Sequence, residues 1–264
     1  MKYTKTISQS LLKAYIEYAM GYECGLLFDA KYIKKSVKDE PSEAMLLGKY
    51  FEYRATGYVN EGEEPPQPQL KKDGLPKAEY ARAESQAMNF IEHCEELGIE
   101  ILEVGKRVEK DGCSLIVDII ALYKGREIII DLKYSGKLYD KWDDSGWALD
   151  GFEYKMKHHI QPMHYQFMLG LPFYYFVFSS QNDVDAEFFE VVMPQPETNE
   201  VHAQRIENIR ERIGMEMATG FIPRPSYKRC MDCPIFNDCQ HAIKAPEPKA
   251  VTITPQYNQI LDSL

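Results

Sequence analysis

Long hydrophobic runs are missing from this sequence. A membrane-spanning helix needs roughly 18 apolar residues in a row, and the longest obvious run, Leu171 to Phe178, falls far short. A secretory leader is missing too. Lys13 and Glu17 break the stretch from Met1 to Met20 where an uninterrupted apolar segment would have to lie. The expectation is a cytoplasmic protein without membrane attachment. Positive charge is in deficit: 31 Lys and Arg stand against 41 Asp and Glu, a formal net charge of −10. That balance argues against nonspecific coating of nucleic acid by the whole surface and allows a local basic groove. No internal repeat is visible. Cysteine is sparse and uneven, at positions 24, 94, 113, 230, 233 and 239, which in a large chain without a leader favours metal ligation over disulfides.

What is present describes an ordinary globular chain, 44% hydrophobic and 27% charged. Its 264 residues suit one large domain, expected over 1–243, with a C-terminal tail over 244–264 that opens with Pro246 and Pro248. Leu11, Leu12, Tyr15, Ile16, Ala19 and Met20 repeat at helical spacing and predict a helix within Ser8 to Asp29. Further helices are expected from an N-cap at Ser42 to about Tyr58 and over Ala78 to Leu97, separated by a Pro- and Gly-rich loop over Glu61 to Pro76. The period then changes. Ile99 to Val108, Ser114 to Tyr123 and Glu127 to Tyr134 read as three consecutive strands. A short helix opening at Gln161–Pro162 and closing at Gly170, strands over Phe173 to Ser180 and Glu187 to Val192, and a long helix over Glu197 to Met217 complete the pattern. The expected fold class is α/β, a mixed central β-sheet flanked by helices.

The second and third strands are apolar on both faces, as suits strands covered on both sides, so their charges need a reason. With Lys124-Gly125 as a two-residue hairpin turn, Asp118 falls directly opposite Asp131. Opposed β-carbons lie roughly 4.5 to 5.5 Å apart, and like charges there are destabilising unless a proton or cation intervenes. Lys133, two residues past Asp131, points to the same face. Hard oxygen donors select magnesium or manganese, and the lysine can orient water or balance charge in phosphoryl transfer. The alternative is a structural salt bridge, with Lys133 neutralising one buried aspartate.

An acid on one strand followed by Asp-x-Lys on the next resembles the PD-(D/E)xK nuclease superfamily, especially its RecB-like branch, with Asp118, Asp131 and Lys133 in those positions. Gln161-Pro-Met-His-Tyr165 is similar to the branch's Gln-x-x-x-Tyr signature, whose spacing puts both side chains on one helical face. The resemblance implies a restriction-endonuclease-like core and a metal-dependent DNA nuclease, with exonuclease action the expectation. Glu52, Asp118, Asp131 and the Leu132 carbonyl would bind one or two magnesium or manganese ions, Lys133 would position or activate water, and Gln161 and Tyr165 would organise the DNA side. The chain departs from the branch at Glu52, where a histidine is usual, and at Leu115, where glycine is common. A catalytically silent DNA-binding or scaffold subunit of a recombination or helicase complex is the alternative from another class, and an RNA nuclease is a third reading.

Cys230, Cys233 and Cys239 have the compact spacing of a metal-binding loop, and Cys24 is a candidate fourth ligand. The arrangement is similar to that of iron-sulfur nucleases of the CRISPR-associated RecB-like and AddB kinds, with one early and three late cysteines. The resemblance implies a four-iron four-sulfur cluster joining N- and C-terminal segments. The competing set is zinc on Cys230, Cys233, Cys239 and His241. Cys94 and Cys113 are expected to be structural. Lys31, Lys34, Lys35 and Lys38, and a second group of Lys137, Lys141, Lys155 and Lys157 around Trp142 and Trp147, are candidate DNA tracks or plain solvated faces. His158 and His159 are expected at the surface. The tail from Lys244 to Leu264 is expected to dock on its own body, with a partner-binding peptide as the minor alternative.

Overall fold

The computed structural model describes residues 2–38, 40–135, 153–183, 186–192 and 199–245. Two compact units divide the chain: one is built from Met1–Tyr22 with Asp39–Gly220, the other from Glu23–Lys38 with Phe221–Leu264. Among the described residues no helix is long and apolar enough to cross a membrane. The 136–152 segment with Lys137, Lys141, Trp142 and Trp147, the side chains of Lys155, Lys157, His158 and His159, and the tail beyond Ala245 lie outside the described part.

The first unit is a mixed six-stranded sheet with helices against it. Strand β1 (Ile7–Ser8) leads into helix α1 (Gln9–Ala19), capped by the Ser8 hydroxyl, which accepts from the Leu11 amide at 3.2 Å. The helix is shorter than its apolar pattern suggests, because Gly21 takes a positive φ of 87° and turns the chain away. Helix α3 (Glu43–Thr56) is capped by Ser42 as expected, and helix α4 (Ala78–Leu97) ends at Gly98 in the left-handed conformation. Helix α2 (Gly25–Phe28), between α1 and α3 in the chain, belongs to the second unit.

Strands β2 (Glu100–Lys110), β3 (Cys113–Tyr123) and β4 (Arg126–Ser135) form an antiparallel meander. Its β3–β4 turn, Lys124-Gly125, has positive φ at both positions, 50° and 74°, as a tight hairpin with the right twist demands. Helix α5 (Glu153–Leu169) returns the chain so that β5 (Phe173–Ser179) pairs parallel to β4, and β6 (Ala186–Glu190) pairs antiparallel to β5. Helix α6 (Asn199–Thr219) closes the unit. The core lies between the sheet and α3 and α4, where Phe51, Phe90, Ile119, Ile128, Ile130, Phe176 and Phe178 are fully buried.

One element differs from its sequence reading. Pro162 is expected in the first turn of a short helix, whereas α5 begins earlier and carries it in its interior. Proline there forfeits a backbone hydrogen bond. Burial of Ile160, His164, Tyr165, Phe167 and Met168 along the helix outweighs that loss.

In the second unit, α2 is joined to the later segment by the Gly25 amide, which donates to the Ile222 carbonyl at 3.1 Å, and by Phe28 against Phe221 at 5.4 Å. Helix α7 (Tyr227–Met231), capped by Ser226, carries Cys230.

Candidate active site and cysteine cluster

The site follows from where the sheet splits. The β3–β4 ladder runs from Tyr123 opposite Arg126 to Ile119 opposite Ile130 and stops. The same register sets Asp118 against Asp131, the next pair. There the strands part, because β3 turns to β1, which pairs parallel at Cys113 and Ser114, while β4 continues along β5. Splitting leaves backbone groups without ladder partners, and buried backbone groups must find others. The Leu132 amide donates to Asp118 Oδ2 at 3.0 Å, and the Ile116 carbonyl accepts from the Tyr165 hydroxyl at 2.7 Å.

Asp131 is only 1% exposed, so each of its oxygens matters. Gln161 on α5 donates through Nε2 to Oδ1, and Lys133 Nζ is in direct ion-pair contact with Oδ2. The Lys133 side chain keeps 28% exposure. Glu52 approaches from α3 and is near enough to feel the charges of Asp131 and Lys133. The structure therefore brings Glu52, Asp118, Asp131, Lys133 and Gln161 to one locality, with Tyr165 and the Leu132 backbone as its edges.

The electrostatics are those of too many acids for one base. Burial raises Asp118 well above the ordinary carboxylate range, and the charges of Asp131 and Glu52 raise it further, against relief from Lys133 and the Leu132 amide. Burial also raises Asp131, opposed by Lys133, Gln161 and a hydrogen bond with Asp118. Glu52 is raised by burial and then by Asp131. Burial works against the Lys133 charge, yet Asp131, Asp118 and Glu52 outweigh it and hold the ammonium above its usual value. Carboxylates are hard oxygen donors of the kind magnesium and manganese take, and here the Asp131 oxygen that such a cation would meet is held by the Lys133 ammonium. Among the described residues, the acids of this site and the cysteines included, no three His, Cys, Asp or Glu side chains are grouped so that they could hold a metal ion. At this site the oxygens are engaged by Lys133, Gln161 and Leu132.

In the second unit, successive tight turns wind the chain past the cysteines: the Cys233 amide donates to the Cys230 carbonyl at 3.1 Å, Phe236 to Cys233 at 2.9 Å, and Cys239 to Phe236 at 3.4 Å. Cys24 Sγ accepts from the Arg224 amide at 3.3 Å. Burial raises the Cys233 thiol, and the nearby Cys230, Cys24 and Cys239 raise it further. Thiols are soft donors of the kind an iron-sulfur cluster or zinc takes. His241 is exposed and meets Gln240 at 3.4 Å. Cys94 and Cys113 are buried away from the other cysteines, and burial pushes the Cys94 thiol up to about 12, as expected of structural cysteines. Of the first basic cluster, Lys34 pairs with Asp29 at 2.5 Å.

Tyr175 is the residue at this site that sequence reasoning does not single out. It stands beside Asp131 in the β4–β5 register, with Lys133 Nζ 5.7 Å from its ring centroid. Its strand, Phe173 to Ser179, is buried at every position, which hides any functional face. Only parallel pairing to β4 at this register identifies it.

No family model matches the chain, and no curated protein sequence matches it. Among solved structures, the chain shares its fold with a proposed exonuclease from Eubacterium rectale: TM-score 0.58, 21% identity, over 93% of this chain and 91% of that one. A second structure, of SSO0001, overlaps at TM-score 0.30 with 14% identity over 83% of this chain and 96% of that one, too low to carry an argument.

Proposed function

We propose that this protein is a magnesium- or manganese-dependent deoxyribonuclease with a restriction-endonuclease-like core of the RecB-like PD-(D/E)xK kind. The observation that carries the reading is the pairing of buried Asp131 with half-buried Asp118, with Lys133 on the same face of the same hairpin. A fold shared with a proposed exonuclease supports a nuclease at a coarse level, and exonuclease action is the finer reading taken from that likeness.

Glu52, Asp118, Asp131 and the Leu132 carbonyl would hold one or two metal ions. A divalent ion bound there would lower the pKa of water and offset phosphate charge. The chain's own part is positional. Gln161 fixes one oxygen of Asp131, leaving the other to face Lys133. Lys133, partly exposed, can reach an attacking water or the developing charge on a phosphate. Tyr165 anchors α5 to β3 and so keeps Gln161 in place. Water attacks phosphorus and the ester oxygen leaves, with no covalent intermediate on the enzyme. In the second unit, Cys24, Cys230, Cys233 and Cys239 would hold a four-iron four-sulfur cluster in an accessory role. DNA is the proposed partner.

The test is degradation of linear single- and double-stranded DNA with magnesium or manganese, alongside Asp131→Ala and Lys133→Ala. Each variant should lower cleavage by about 100-fold or more. Retained cleavage in both variants rejects the assignment.

A further inference from the structure

Lys133 has an unusual task for a flexible side chain. Its ammonium must stay within one locality shared by three carboxylates, and a lysine stem has four rotatable bonds with which to leave it. Asp131 alone does not fix it, because an ammonium is a point charge without directional preference. Something else must define where Nζ stands. The neighbouring strand supplies it.

Tyr175 is the β5 partner of Asp131, one strand over, and its side chain is on the Lys133 face. It is 2% exposed, and Lys133 Nζ lies 5.7 Å from its ring centroid, inside the reach of a cation–π contact. The ring is itself immobilised. Phe173 meets Tyr175 edge-on at 5.0 Å and 79°, and Tyr165 meets Phe173 edge-on at 5.5 Å and 87°. Tyr165 in turn is tied through its hydroxyl to the Ile116 carbonyl. Three aromatic rings thus connect β3, where Asp118 sits, to the ammonium beside Asp131.

We infer that Tyr175 is a positioning residue: its ring face, braced by Phe173 and Tyr165, holds the Lys133 ammonium beside Asp131. Tyr175 touches neither substrate nor metal in this role. The role assigned belongs to the ring face, so phenylalanine should substitute. The kinetic part of the inference rests on the nuclease reading, whereas its spectroscopic part does not.

The experiment has two arms. In the wild-type protein, NMR of the Lys133 side chain should show ε-protons shifted upfield by the ring current of Tyr175 and an ammonium signal slow enough in exchange to be seen. Tyr175→Phe should keep both signatures, and Tyr175→Leu and Tyr175→Met should lose both while melting cooperatively. Where either aliphatic variant fails to fold, the wild-type shifts alone decide: unshifted Lys133 protons overturn the inference. In the kinetic arm, Tyr175→Phe should stay within about threefold of wild type, and the aliphatic variants should lower kcat about tenfold or more with KM little changed. Equal loss in Phe and Leu, or a loss confined to KM, contradicts the positioning role. If the wild-type protein cleaves no DNA, the nuclease reading fails and the NMR arm still judges this inference.

Discussion

A buried salt bridge and a cation site make opposite predictions for one substitution, Asp118→Asn. Asparagine keeps the size of the side chain and can still accept from the Leu132 amide, so the change removes charge with little else. With both carboxyls ionised, charges about 5 Å apart would repel by about 3 kcal/mol at an effective dielectric near 20. Lys133 offsets part of this, which leaves a net gain of about 1–2 kcal/mol for the variant in metal-free buffer at pH 7. The pH dependence has a definite sign. A carboxyl whose folded pKa is raised above its unfolded value is favoured protonated in the fold, so wild-type stability declines as pH rises through the raised value. The advantage of Asp118→Asn therefore grows from the ordinary carboxylate range upward and is small in acid. Thermal melts should place the variant about 2–4 °C higher per kcal/mol. Adding magnesium or manganese reverses the order: at free metal 100 times Kd, wild type gains about 2.7 kcal/mol, and the variant much less. A variant that melts lower without metal would make Asp118 a stabilising partner of Lys133 and refute the reasoning. Equal stabilisation of both proteins by metal would refute it as well.

Three further outcomes are expected. Protein purified without oxygen should be brown and carry iron and acid-labile sulfide, and Cys233→Ser should lose both; a colourless protein with stoichiometric zinc contradicts the cluster. Burial, followed by the neighbouring His202, depresses His164 to about 4, so the unfolded state binds the proton first and stability is lost as pH falls from about 6.5 towards 4; denaturant melts should show about 2 kcal/mol less stability at pH 5 than at pH 7 from this residue, and His164→Gln should remove that part of the slope. Gly105 and Gly125 both have positive φ, but an added β-carbon at Gly105 would lie 2.0 Å from the Tyr58 ring whereas Gly125 faces open space; chemical denaturation should find Gly105→Ala costing about 2–4 kcal/mol and Gly125→Ala about 1, and equal costs would contradict the crowding.

The hairpin that builds the site was legible because a two-residue turn fixes register absolutely: Lys124-Gly125 gives the observed pairing of Ile119 with Ile130, and Asp118 and Asp131 follow from it. Helix α4 was legible from end to end, since its periodicity is long and Gly98 closes it. The β1 strand was not, because two residues carry no period, and its pairing with the start of β3 is a tertiary event. That pairing is why the sheet splits, so the Leu132 contact to Asp118 and the Tyr165 contact to Ile116 had no local signal either. Gln161 and Tyr165 were placed by motif spacing, yet the helix carrying them started earlier than proline rules suggest, because packing outweighed one lost hydrogen bond. Tyr175 stayed hidden in a strand whose seven positions are all buried. The contact of Cys24 with the Arg224 amide joins positions 200 residues apart, which sequence spacing alone does not establish.

The most direct test of the central claim is anomalous diffraction from crystals soaked in manganese. The account predicts a peak within coordination distance, about 2.0–2.3 Å, of carboxylate oxygens from both Asp118 and Asp131, with Lys133 displaced from the bound oxygen but still beside it. A peak elsewhere, or none in crystals that take up manganese at other acids, would contradict it.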